Sequence, residues 1–375
     1  AIAWFTHQFT HQSDVFKLLI LFLSDERVPR AIKWGMQSQT SPLGEFDLIQ
    51  RFFKTQSEPM LTKNPGSVKL GIGDDCALLK IDPTEEIAIT SDMLVSGRHF
   101  FADANPEWLG WKAIAVNLSD LAAMGARPLG FTLALALPDP NPSWLEAFSR
   151  GLFAIANEYD CPLIGGDTTA GPLNICITAF GGIPKDKAIR RSGASEGDDI
   201  WVSGTVGDAR LTLAALRHEI ELSKDDLALV EARMHQPTPR LNLGIALRNV
   251  ANSALDISDG LLGDLRHILK QSNKDAEIFL DQIPKSSTLL KQSQTIQHQY
   301  AASGGDDYEL CFTAPISKRD VIAKISADLN LPLTQIGSIQ SMQHSVPEIH
   351  IIDKDGKELN SQQAGLLLKS FDHFA

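Results

Sequence analysis

The chain has 375 residues, 34 Lys+Arg against 46 Asp+Glu, a formal net charge of −12, and 43% hydrophobic and 21% charged residues. That length has room for two cored domains, and 27 glycines and 19 prolines exclude a collagen-like or low-complexity chain. The acidic balance argues against nonspecific nucleic-acid binding and against a polybasic membrane tether, yet it permits phosphate ligands wherever metal ions reverse the local sign.

In chain order, residues 1–43 differ from the rest of the chain. The apolar run Val15–Leu23 is interrupted by Lys17 and is about half the ~20 residues a membrane span needs. No Lys or Arg precedes it, and SDERVPR follows where a small-residue cleavage site belongs, so it is a weak signal peptide. The segment reads as an N-terminal extension outside the core, with Ala1–Gly35 dispensable for fold and activity.

From Glu45 the pattern alternates. Phe46, Ile49 and Phe53 give a helical stripe, and Val68–Ile72, Ala77–Ile81 and Glu86–Thr90 read as short strands. Pro106–Met124 predicts a helix with proline at its start and Gly125 as its stop. Phe131–Leu137 follows as a strand, Pro142–Tyr159 as a helix and Asn174–Gly181 as a strand. A second half opens at about Ala188. Its strands are expected at Ile200–Ser203, Ala254–Ile257, Ile278–Leu280, Tyr308–Thr313 and Ile336–Ile339. Helices are expected at Ala209–Leu216, Asp225–Met234, Asn242–Val250, Leu261–Gln271 and near Ser317–Leu329. The order is α+β, two mixed halves divided as 44–187 and 188–375.

The aspartates carry the chemistry. Gly71-Ile72-Gly73-Asp74-Asp75, Thr90-Ser91-Asp92, Asn117-Leu118-Ser119-Asp120, Gly165-Gly166-Asp167, Asp256-Ile257-Ser258-Asp259-Gly260 and Gly304-Gly305-Asp306-Asp307 mostly follow apolar runs and lack an adjacent cation. A single such Asp is ordinarily a cap or a turn residue. Six segments together point elsewhere. Crowded, half-buried carboxylates must be protonated or neutralised, and hard divalent cations bridged to phosphates are the natural counter-charge. The expectation is a multi-magnesium polyphosphate site, provided the segments converge.

Other motifs fail on context. Gly71-Ile72-Gly73-Asp74-Asp75-Cys76 lacks the last glycine of a dinucleotide fingerprint, and Gly193-Ala194-Ser195-Glu196-Gly197 precedes a strand where a nucleophile elbow follows one. No P-loop motif exists, and Cys76, Cys161, Cys176 and Cys311 show no zinc spacing and read as reduced thiols.

At these residues the chain resembles the thiamine-monophosphate kinase family over about Gly44 to Phe374. The resemblance runs through GEFDLI (44–49), GIGDDCA (71–77), TSDMLVSGRHF (90–100), KAIAVNLSDLAAMGARP (112–128), LIGGDTT (163–169), RRSGA (190–194), LDISDGL (255–261), SGGDDYELCF (303–312) and FDHF (371–374). It implies two α/β domains of the aminoimidazole ribonucleotide synthetase-like (PurM-like) type, with N-terminal strands forming a homodimer barrel. It also implies a cytoplasmic enzyme that transfers the ATP γ-phosphoryl group to thiamine monophosphate with several Mg2+ ions. By motif, Asp75, Thr90, Ser91, Asp92, Asp120, Asp167, Asp256 and Asp259 would hold metal, with Asp74 a weaker candidate. Gly166, Asp167, Arg191 and Ser258 would contact ATP, while His99, Asp306 and Phe371 would contact the thiamine phosphate. Asp120, Asp167 and Arg191 would be catalytic. Asp306 stands where glutamate is frequent in the family, and Phe371 where tyrosine or tryptophan is.

Sister enzymes are disfavoured: no Cys precedes Cys76, as a selenophosphate synthetase would require, and the chain ends FDHFA without the terminal cysteine of the hydrogenase-maturation relative. Aminoimidazole ribonucleotide synthetase lacks the combination of SGGDDYELCF and FDHF. A non-catalytic sensor of nucleotide or thiamine phosphate is the rival from another class.

Overall fold

The computed structural model describes residues 44–63 and 66–368. The expectations for residues 1–43 and for Phe371 lie outside the described residues. The first helical segment comprises α1 (Glu45–Leu48), a π-helical stretch at Ile49–Lys54 and α2 (Thr55–Lys63). The expected stripe is corrected here. Phe53 is buried as expected, but Phe46 is exposed and Leu48 and Phe52 take the other core positions, because the wider π turn rotates the buried face.

A two-stranded ribbon, β1 (Val68–Leu70) with β2 (Leu78–Leu79), precedes a four-stranded mixed sheet. That sheet has β3 (Glu85–Val95), β4 (Arg127–Leu137), β5 (Leu163–Ala170) and β6 (Asn174–Pro184) in the order β3-β6-β4-β5. Only the β4–β5 pairing is parallel. The strand expected to stop at Thr90 continues to Val95. Alternation explains this: Thr90, Asp92 and Leu94 share the inner face, so the polar residues there interrupt the apolar run but not the backbone ladder. Asp167, expected at a strand end, is likewise inside β5.

Helix α3 (Pro106–Ala123) lies on that inner face. The Asn105 side chain accepts from the Glu107 amide, Pro106 occupies the first turn, and the helix is buried on nearly all sides. It packs against α4 (Pro142–Glu158) and, on its far side, meets α7 (Leu241–Leu247) and β8 (Ser253–Asp256) of the second half. The second sheet is six-stranded, ordered β12-β9-β11-β7-β10-β8. Its strands are β7 (Asp199–Ser203), β8, β9 (Lys274–Phe279), β10 (Leu310–Ala314), β11 (Leu333–Ser341) and β12 (Ile349–Ile352). Helices α5 (Asp208–Leu216), α6 (Lys224–His235), α8 (Leu261–Ser272), α9 (Gln294–Ser303), α10 (Arg319–Leu329) and α11 (Ser361–Leu367) accompany it.

One apolar core joins α3, α4 and the first sheet to Leu241, Leu247, Leu310 and Phe312 of the second half. Another fills the second half around Leu265, Ile268 and Ile278. The shared core fixes α3 relative to β8, and this brings Asp120 close to Asp256.

Candidate active site

Three aspartates from different elements meet between the sheets. Asp92 comes from the inner face of β3, Asp120 from the last turns of α3, and Asp256 from the end of β8. Thr90, two residues from Asp92 on the same face, donates its hydroxyl to Asp120 Oδ2. Ser119 donates to Asp256 Oδ2 at 2.7 Å.

Burial and mutual repulsion shape their charge. Burial, then the charge of Asp120, pushes Asp92 up to about 7. Burial, then Asp120 again, pushes Asp256 up to about 8. Asp120 is also raised by burial, although the Thr90 hydroxyl and the Arg191 guanidinium favour its charged form. Asp92 Oδ2 is a buried oxygen with no hydrogen-bond partner, a costly state for a carboxylate.

The Ser258–Asp259 loop lies beside this trio. Asp264, in the first turn of α8, accepts from the amides of Ser258, Asp259 and Gly260 at 3.0, 3.0 and 3.2 Å. Burial raises Asp264 to about 7 in spite of those amides. Ser258 and Asp259 line a cavity of about 750 Å³ together with Asp92, His99, Lys112, Asp306 and Tyr308. His99 Nδ1 accepts from the Val95 amide at 3.0 Å, which assigns the ring proton to Nε2. A second cavity of about 830 Å³, near Met60, Arg127 and Tyr159, holds none of the residues singled out from sequence.

Not every expected ligand joins the trio. Asp74 and Asp75 are exposed on the 71–76 loop, where the Asp75 amide donates to the Asp74 carboxylate. Asp167 is exposed on β5. Its row across the sheet is Met93, Cys176, Ala134 and Asp167, whereas the row of Asp92 is Ile177, Leu133 and Gly166. Neighbouring rows face opposite sides of a sheet, and β3 and β5 are its opposite edges. Asp167 therefore lies on the outer face, away from Asp92. Ser91 also faces outward, its hydroxyl 2.9 Å from that of Thr178. Among the described residues, no group of three His, Cys, Asp or Glu side chains is arranged to hold a metal ion.

Gly166 is required where it stands. At φ +148° a Cβ there would lie 1.9 Å from the Leu133 carbonyl oxygen of the paired strand. Arg191 is exposed and acts on Asp120 through charge.

Sequence reasoning passed over Ser119, Asp264, Lys112 and Tyr308. The signal for Asp264 was present, an acid in the first turn of an expected helix. Lys112 and Tyr308 lie inside the family motifs, but their partners are distant in sequence.

The comparisons with known proteins agree over most of the chain. Residues 73–183 match AIR synthase related protein, N-terminal domain, and residues 195–350 match AIR synthase related protein, C-terminal domain. The thiamine-monophosphate kinase of Escherichia coli (strain K12) is 45% identical over 335 residues, covering 88% of this chain and 98% of the relative. The crystal structure of thiamine-monophosphate kinase from Stenotrophomonas maltophilia K279a is 43% identical at a TM-score of 0.75, covering 84% of this chain and 98% of its own. The structure of AaThiL complexed with AMPPCP and TMP is 30% identical at a TM-score of 0.65, covering 87% of this chain and 98% of its own.

Proposed function

The chain belongs to the thiamine-monophosphate kinase family, and we infer that it transfers the γ-phosphoryl group of ATP to thiamine monophosphate, giving thiamine diphosphate and ADP. The observation that carries this reading is the meeting of Asp92, Asp120 and Asp256 beside a cavity lined by His99, Ser258, Asp259 and Asp306. A coupled ADP-release assay tests it. ADP formation is expected with thiamine monophosphate, whereas binding without turnover would identify a sensor and turnover only on another acceptor a sister enzyme.

The donor set suits magnesium. It offers hard carboxylate and hydroxyl oxygens, one of them a buried oxygen without a partner. Although they are not closed into a three-ligand cage without an ion, Asp92, Asp120 and Asp256 would hold the first ions, with Thr90, Ser91, Asp259, Asp75 and Asp167 completing the proposed set. Of these, Ser91, Asp75 and Asp167 are the members whose side chains the single chain does not bring to the trio. Mg2+ bound there would neutralise phosphate charge. The acceptor phosphate, with a second pKa of about 6, is mostly dianionic at neutral pH and needs no general base. The chain's own task is to bring two anions into line and offset their repulsion, with Arg191 adding charge and Gly166 and Ser258 contacting ATP. Direct in-line transfer then requires no covalent intermediate. His99 and Asp306 would hold the thiamine end, joined in the proposal by Phe371.

Protonation gives a readout independent of turnover. Asp92 and Asp256 are raised in the folded chain to about 7 and about 8, against about 3.9 unfolded. Between those values the folded state binds more protons than the unfolded one, so stability falls as pH rises. Without divalent cations, Tm is expected to fall by about 5 °C between roughly pH 5 and pH 8. Mg2+ should restore it near pH 8 and do little near pH 5. An equal Mg2+ effect at both pH values would remove these carboxylates from the ligand set.

Self-association is proposed through the outer face of the first sheet. Ile87, Ile89 and Met93 are 41%, 63% and 53% exposed on one face of the edge strand β3, an apolar patch that favours a partner surface. The proposed partner is a second copy. Light scattering should give about twice the 40.9 kDa chain mass, and Ile89→Asp should give the monomer.

The domain limits 44–187 and 188–375, and an extension over 1–43, belong to this proposal, as does the cytoplasm as its compartment. Free thiols at all four cysteines support that compartment. Among the described residues no helix is long and apolar enough to cross a membrane.

A further inference from the structure

Lys112 is 5% exposed, on the α3 face that also carries Val116 and, two turns further, Asp120. A lysine is rarely buried unless paired. Its Nζ lies 2.5 Å from Asp306 Oδ2, a residue 194 positions away in the second half. The Asp306 side chain is 33% exposed and lines the cavity with Lys112, His99 and Tyr308.

The backbone around Asp306 is equally constrained. Asp306 and Tyr308 have φ of 72° and 52°, a left-handed conformation uncommon for such residues and uncommon above all for a bulky one. The Asp306 amide donates to the Ser258 carbonyl at 2.8 Å and the Tyr308 amide to that of Ile257 at 2.9 Å, tying this loop to the one that carries Ser258. Burial, then the charge of Asp306, raises the Tyr308 hydroxyl well above its ordinary value, which keeps it protonated beside that carboxylate. At the start of α3, Trp111 Nε1 donates to the Pro237 carbonyl at 2.9 Å, and Trp108 stacks on His235 with centroids 4.8 Å apart. The helix that brings Lys112 is thus anchored to the second half independently of the ion pair.

We propose that Lys112 is a positioning residue for the acceptor: it fixes the Asp306 carboxylate at the cavity wall as a ready hydrogen-bond acceptor for the exocyclic amine of the aminopyrimidine. This rests on the thiamine-monophosphate reading and deepens it. A carboxylate paired with an ammonium is ionised and can only accept, so the ligand it meets must itself present a donor, which selects an amino-substituted ring over an oxo-substituted one. Because α3 carries Lys112 and Asp120 together, the same rigid element registers the ring end and the phosphate end of the acceptor.

The test compares Lys112→Met, Lys112→Arg, Asp306→Asn and the double variant Lys112→Met/Asp306→Asn. Calorimetric binding of thiamine monophosphate without ATP is measured beside steady-state kinetics and melting temperature. Lys112→Met is expected to weaken acceptor binding and raise its KM about tenfold, leave the KM for ATP within about twofold, and be largely rescued by Lys112→Arg. The double variant should bind no more weakly than Asp306→Asn alone, because Lys112 acts through that carboxylate. It should also melt at or above Lys112→Met, since no uncompensated charge is left behind. Multiplying losses in the double variant, equal losses for ATP and acceptor, or unchanged acceptor binding in Lys112→Met would each overturn the proposal. Wild-type protein that fails to phosphorylate thiamine monophosphate would instead overturn the functional reading itself.

Discussion

Asp120→Asn is expected to reduce turnover at least about a thousandfold while raising the melting temperature of the protein measured without divalent cations. Both directions follow from one geometry. Asp120 stands between Asp92 and Asp256, and its charge raises both of them. Asparagine keeps the shape and still accepts from Thr90, so the fold is untouched and the repulsion disappears. The same charge is what the proposed metal–phosphate assembly needs, and an amide supplies too little of it. Asp120→Ala should inactivate equally, with a smaller gain in stability because the Thr90 hydroxyl loses its partner. A variant that is more stable but inactive separates ligand from scaffold, since a purely structural aspartate would give the opposite pair of effects. Asp167→Ala completes the comparison. It too is expected to abolish turnover, but because it stands apart from the repulsion among Asp92, Asp120 and Asp256 it should not reproduce the rise in melting temperature. Near-normal turnover in either variant would remove that residue from the site.

Sequence reasoning reached the elements whose signals are local. Pro106 marks the start of α3, and its apolar run carries it to within a residue of the expected end. The two α+β halves follow from the alternation of short apolar runs with helical ones. Long-range geometry was less legible. Strand β3 continues past Thr90 because its inward side chains face α3, a layer that a one-dimensional reading lacks. Asp92 and Asp167 look alike as acids in apolar segments, but register assigns them to opposite faces. The π turn at Ile49–Lys54 exchanges Phe46 for Leu48 and Phe52 in the core, and no residue type announces it. Lys112 was hidden for a related reason: a charge near a helix start reads as solvated until the loop that neutralises it, 194 residues on, is folded against it.

Glu309→Ala is expected to cost about 3–5 kcal/mol of unfolding free energy, read from denaturant melts at constant m-value. Glu309 is fully buried and accepts from Arg233 at 2.6 Å, from Arg240 Nε at 2.7 Å and from Ser203 at 2.5 Å. Removing it leaves two guanidinium groups, each only 18–19% exposed, without their anion. Gly204 shows how tightly the carboxylate is seated: at φ +58°, a Cβ there would lie 2.4 Å from Glu309 Oε1. The damage should reach the site, because Arg233 also donates to the carbonyls of Asp307 at 3.2 Å and Thr205 at 3.4 Å. The loop carrying Asp306 and Tyr308 therefore depends on the same arginine, and the KM for the acceptor should rise with the loss of stability. Replacing Glu309, Arg233 and Arg240 together by apolar residues of similar volume separates the two effects. Stability should largely return, since no buried charge is left unpaired. The acceptor KM should stay high, since the Asp307 carbonyl still lacks its donor. Recovery of both would make the network a matter of packing alone; recovery of stability without acceptor binding would show that the buried ions are kept for the loop they hold.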